Sequence, residues 1–70
     1  MDYWTRRGYT LKGTRFTGIW IASRRNQHAV LRMNFFDELV HVGAETGDEE
    51  FFYSESQAVD FAKEVALASV

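Results

Sequence analysis

Any chemistry in this chain would have to come from a few side chains: His28 and His41, the hydroxyls of Ser23, Ser54 and Ser56, and the adjacent carboxylates Asp37-Glu38 and Glu49-Glu50. A zinc site needs three or four convergent nitrogen or sulfur ligands. The chain has no cysteine, and its two histidines fall on separate predicted strands, so each reads as a polar sheet residue and no metal site is expected. Nucleophilic catalysis needs a nucleophile, a base and an orienting group within hydrogen-bond reach. Ser54 and Ser56 read instead as helix-capping residues, Ser23 as a strand end, and the carboxylate pairs as solvated loop groups. Gly8, Gly13 and Gly18 match neither phosphate-loop nor dinucleotide spacing. So short a chain also leaves little room for a pocket of roughly 300 Å³ or more. The expectation is a non-enzyme with no catalytic residue, metal or cofactor.

Charge is organised more strongly than chemistry. Residues 1–32 carry Arg6, Arg7, Lys12, Arg15, Arg24, Arg25 and Arg32 against Asp2 alone, a net of +6. Residues 33–70 carry nine carboxylates against Lys63 alone, a net of −8. The overall −2 conceals this dipole. Such fields steer association and select partners more than they determine a fold.

The 70 residues, 46% of them apolar, read as one globular domain. Burial in so small a domain contributes only about 3–5 kcal/mol net, so aromatic packing or self-association must add to it. No cysteine, no leader-like apolar run behind Met1-Asp2-Tyr3-Trp4, and no apolar stretch near the roughly 20 residues a bilayer requires together predict a soluble, cytoplasmic protein with no membrane partner.

The elements that must position these charges are a β-meander and one helix. Tyr9–Leu11, Phe16–Ser23, His28–Phe35, Leu39–Val42 and Glu50–Tyr53 read as strands, rich in aromatic and β-branched residues. Arg24–Gln27 is the hairpin turn, and Gly43–Asp48 is an acidic loop; Phe35–Val40 has a helical turn as its alternative. Ser54 and Gln57 form a capping box, Tyr53 can staple onto Ala58, and the apolar spacing that follows predicts a helix over Glu55–Ala68. The fold class is therefore α+β: a three- to four-stranded antiparallel meander with one amphipathic C-terminal helix on one sheet face.

One helix covers one face, so the other face becomes the functional question. Alternation groups Ile19, Ile21, Leu31 and Met33 under the helix, leaving Phe16, Trp20, Val30 and Arg32 opposite, near His28 and Tyr9. Exposed aromatics among arginines have the composition of a binding hot spot. Residues 1–7, a basic-aromatic arm, either hang loose or fold back so that Tyr3 and Trp4 cover Trp20. The candidate basic-aromatic partner face is Arg6, Arg7, Tyr9, Phe16, Trp20, Arg24, Arg25 and Arg32. The candidate acidic partner surface is Glu45, Asp48, Glu49 and Glu50.

Arg7-Gly8-Tyr9-Thr10-Leu11, Gly18-Ile19-Trp20-Ile21-Ala22, and Phe52-Tyr53-Ser54 with Ala58 and Ala62 together resemble small uncharacterised bacterial and phage domains with a three-stranded sheet and one C-terminal helix. More distantly, the outline is similar to the arm-type DNA-binding domain of tyrosine recombinases, whose sheet lies in the DNA groove. Asp60 and Glu64 on the helix depart from that pattern and imply, at most, a free-standing relative. By analogy with small phage and mobile-element proteins, the expected function is a non-enzymatic interaction or regulatory protein, an inhibitor of a host system among the roles. It would bind another macromolecule through its charged surfaces, a protein first. The alternative is a nucleic-acid-binding sheet that uses arginines on phosphates and aromatics on bases. The dipole also allows an antiparallel homodimer with Phe16 and Trp20 near its two-fold axis.

Overall fold

A computed structural model describes residues 3–68. In chain order it contains a helical turn α1 (Tyr3–Arg6), strands β1 (Thr10–Gly13), β2 (Ile19–Arg24), β3 (Gln27–Met33) and β4 (Leu39–His41), a 3-10 turn (Ala44–Thr46) and a helix α2 (Glu55–Ala68). The strands form one antiparallel sheet in the order β1-β2-β3-β4, and α2 packs across β2 and β3. This is the α+β meander-plus-helix the residue pattern predicts.

Helix α2 starts where expected, at Glu55, because its capping box forms. Ser54 Oγ accepts the Gln57 N–H at 3.3 Å, and Gln57 Oε1 accepts the Ser54 N–H at 3.4 Å. Ala58, Ala62 and Val65 lie at i, i+4 and i+7 and bury against Ile19, Ile21 and Val30. The expected staple is absent, since Tyr53 is exposed. Phe52 pairs its backbone with His28 and packs at the edge of this core, its ring 5.3 Å from that of Phe61. Successive side chains of an extended segment alternate, which leaves Tyr53 outward.

Several strand boundaries move: β1 runs Thr10–Gly13 rather than Tyr9–Leu11, β3 runs Gln27–Met33 rather than His28–Phe35, and β4 ends at His41 rather than Val42. Thr14 closes a turn ahead of β2: its hydroxyl donates to the Ile19 carbonyl at 2.8 Å and accepts the Phe16 N–H at 3.1 Å. The ladder therefore starts at Ile19 rather than Phe16. The predicted strand Glu50–Tyr53 reduces to a single bridge between Phe52 and His28.

The register corrects the assignment of faces. β2 and β3 pair Ser23 with His28, Ile21 with Val30 and Ile19 with Arg32. Residues directly opposite in an antiparallel pair share a face. Val30 therefore joins Ile19 and Ile21 beneath α2, and Leu31 and Met33 lie on the other side with Trp20 and Ala22. His28 and Arg32 belong to the helix side, not to the Trp20 side.

The other side holds a second core. Trp4 and Tyr9 bury with Ala22, Ala29 and Leu31, flanked by Leu11, Trp20 and Leu39. The N-terminal arm folds back onto the sheet, but it does so through Trp4 packed with Ala22, Ala29 and Leu31. Tyr3 stays about half exposed and Trp20 lies at the rim of this core; Met1 and Asp2 lie outside the described residues. Gly8 makes the return from α1 to β1. It adopts φ +86° while the Tyr9 N–H donates to the Trp4 carbonyl at 3.1 Å, a left-handed helix end that glycine tolerates without strain.

Candidate partner-binding surfaces

The basic-aromatic set does not form one face. Trp20 is half-buried at the rim of the second core, whereas Phe16 packs on the opposite side, against the core beneath α2. Phe16 and Trp20 therefore do not form the joint patch that the expected homodimer would place near its two-fold axis. Tyr9 is buried, and Arg24 lies over its ring at 4.4 Å. The Arg24 guanidinium also donates to the Arg7 carbonyl at 2.6 Å and to Gln27 Oε1 at 3.1 Å. Arg7 stacks 3.8 Å over the exposed Tyr3 ring. The Arg24 contacts tie the arm to the end of β2, and the Arg7–Tyr3 stack lies within the arm itself. Arg6 is exposed on α1, and Arg25 is exposed in the two-residue β2–β3 turn with φ +53°. Arg15 and Arg32 sit at the far end of the sheet, where with Phe16 and Ala66 they line a separate hollow of about 610 Å³. The arginines are thus divided between two ends of the molecule.

Lys12 leaves the basic group in a different way. Its Nζ lies 2.7 Å from Glu55 Oε2 and ties β1 to the start of α2. The hydrogen bond from Lys12, and its charge, hold the Glu55 carboxyl below the ordinary carboxylate range.

The two histidines occupy opposite faces. His28 Nδ1 is 2.7 Å from Ser23 Oγ. His41 is buried, with its ring against Trp4 and Phe51, and its Nε2 lies 3.0 Å from the Glu50 carbonyl. A carbonyl only accepts, so Nε2 carries the proton. Among the described residues no three histidine or carboxylate side chains gather around a point that could hold a metal ion.

The acidic segment is a shaped loop. Its 3-10 turn is bracketed by Gly43 and Gly47, both left-handed, and the Asp48 N–H donates to the Gly43 carbonyl at 2.9 Å. A Cβ on Gly43 would lie 2.6 Å from the Asp48 carbonyl oxygen, so the loop closes too tightly there for a side chain. Thr46 Oγ1 donates to the Asp48 carboxylate at 2.8 Å. Glu45, Asp48, Glu49 and Glu50 are all exposed on this frame.

The most prominent surface feature escaped the reading of the sequence. Phe35 and Phe36 are 103% and 82% exposed at the tip of the β3–β4 hairpin. Asn34 builds that tip: its Oδ1 accepts the Phe36 and Glu38 N–H groups, both at 2.9 Å, and its own N–H donates to the Glu38 carbonyl at 2.9 Å. Asp37 turns the chain with φ +59°. The available signal was Asn34 ahead of Asp37-Glu38, because Asn side chains bond nearby backbone and favour turns over strands.

Between α1 and this hairpin runs an open groove of about 1190 Å³. It exceeds what the chain length leads one to expect because it lies between two covering segments, not inside a core. Arg7 and Arg24 line it at one end of β3, and Asp37 and Glu38 at the other. The six residue steps of β3 separate those ends by roughly 20 Å.

No protein-family model, curated protein or solved structure matches the chain. No described helix is long and apolar enough to cross a membrane.

Proposed function

We propose that this chain is a non-enzymatic interaction protein that docks onto a basic surface of another protein through Glu45, Asp48, Glu49 and Glu50. The observation that carries this reading is the contrast between its charged regions. The carboxylates stand outward on a hydrogen-bonded loop, while Arg7 and Arg24 lie over the chain's own Tyr3 and Tyr9 rings. Fixed charges on a shaped loop meet a complementary surface with little ordering cost and raise the rate of encounter. An inhibitor that occupies the basic groove of a host protein is one role such a surface would serve.

A second reading rests on Arg6, Arg7, Arg24 and Arg25, which gather at the arm end of the sheet. There the partner would be a nucleic-acid backbone.

Backbone amide shifts recorded during titration separate the two. Polyarginine should shift residues 43–50 and lose its effect as salt rises, and oligonucleotides should leave the arginine-bearing segments unshifted and show no retardation in a low-salt mobility assay. Shifts at Arg6, Arg7, Arg24 and Arg25 on adding DNA or RNA, with gel retardation, would establish the second reading and overturn the first.

A further inference from the structure

We propose that the groove on the arm-covered side of the sheet is a self-association surface, occupied by the Phe35–Phe36 tip of a second copy of this chain. This inference stands apart from the acidic-loop reading and uses different residues.

The groove is polar along its length in a self-complementary way. Arg7 and Arg24 mark its cationic end, and Asp37 and Glu38 its anionic end. A two-fold axis lying between two facing sheets, perpendicular to the strands, reverses the direction of the second copy. The cationic end of each groove then meets the anionic end of the other. That operation also carries each Phe35–Phe36 tip, which immediately precedes Asp37 and Glu38, to the end of the partner's groove lined by Tyr3, Tyr9, Arg7 and Arg24. Such an interface is isologous and closes at two copies. A non-reversed stacking would instead oppose like charges, at a cost that specifies register.

The apolar components fit the same arrangement. Two adjacent phenylalanines fully in water on a hydrogen-bonded tip are costly for a lone chain, and Tyr3 and Phe51 beside the groove are themselves about half exposed. Aromatic anchors ringed by charge are the usual composition of an interface centre. A stable dimer buries about 800 Å² per partner, about a sixth of the 5122 Å² this chain exposes.

Sedimentation equilibrium over a wide concentration series tests the proposal on the intact chain. The expected mass rises with concentration to twice 8.1 kDa. Phe35→Ser with Phe36→Ser, both at exposed positions, should weaken association by at least about 30-fold. Arg7→Glu and Glu38→Arg should each weaken it, and their combination should restore it, because the two charges face one another across the axis. A mass that stays at one chain throughout would overturn the proposal, as would a dimer that survives loss of both phenylalanines. Neither result would touch the polyarginine titration of the acidic loop.

Discussion

The two faces of this sheet are covered by opposite means. Beneath α2 the core is aliphatic and small, with Ala58, Ala62 and Val65 on Ile19, Ile21 and Val30. Beneath the arm it is aromatic, with Trp4 edge-on to Tyr3, Tyr9 and His41 at ring separations of 5.2, 5.1 and 5.5 Å. A 14-residue helix covers one side and a 4-residue helical turn the other. The difference shows what so short a cover requires. A helix of three or more turns contributes its own hydrogen-bonded stripe, whereas a single turn has almost no intrinsic stability. It is held by one large ring and by Arg24, which bonds the Arg7 carbonyl and lies over the Tyr9 ring, a cation–π contact worth about 0.5–2 kcal/mol. Arg7 and Arg24, two of the eight lysines and arginines, thus take part in local packing, whereas the acidic loop is turned to solvent.

Replacing Trp4 breaks the comparison most directly. Trp4→Ala removes the centre of the arm-side core and should cost about 3–5 kcal/mol in urea unfolding. If the arm only decorates the sheet, the midpoint will barely move. Gly43→Ala comes next: the added Cβ meets the Asp48 backbone and φ is +93°, so a cost of about 2 kcal/mol or more is expected. Faster amide exchange over residues 44–48 is its local signature, and unchanged exchange would mean that the loop relaxes freely. On the helix side, Phe61→Ala should cost only about 2 kcal/mol, because the ring is half-buried at the edge of its core against Phe52. A loss equal to that of Trp4→Ala would erase the distinction between the faces.

The smallest expected effect is the pH response of the Lys12–Glu55 pair. The folded-state pKa of Glu55 is depressed by Lys12, so the contribution is present above the ordinary carboxylate value and is lost as pH falls through the folded pKa. The stability difference between the protein and Lys12→Met should therefore be small near neutral pH and shrink further in acid. A difference that grows on acidification would contradict the pairing.

The start and the buried face of helix α2 were legible, since Ser54, Gln57 and the 58–62–65 spacing are local signals. The strand order was legible too. The faces were not, for a physical reason: Ala29-Val30-Leu31 is apolar at consecutive positions because β3 is buried on both sides, and alternation then carries no information about which parity faces the helix. Only the pairing of Ile21 with Val30 decides it. The candidate site suffered similarly. Arginines adjacent in sequence are separated by the meander, Arg15 and Arg32 going to one end and Arg7 and Arg24 to the other. Phe35 and Phe36 extend an apolar strand pattern on paper, but Asn34 diverts the backbone into a turn and leaves both rings outside.

The claim that the acidic loop, not the basic half, recognises the partner is tested most directly by calorimetric titration of polyarginine into three proteins. These are the natural chain, a loop variant carrying Glu45→Gln, Asp48→Asn, Glu49→Gln and Glu50→Gln, and a cation variant carrying Arg6→Gln and Arg25→Gln, with circular dichroism confirming that all three fold. Binding should be retained by the cation variant and fall at least about tenfold in the loop variant. A loop variant that binds polyarginine as tightly as the natural chain would contradict it.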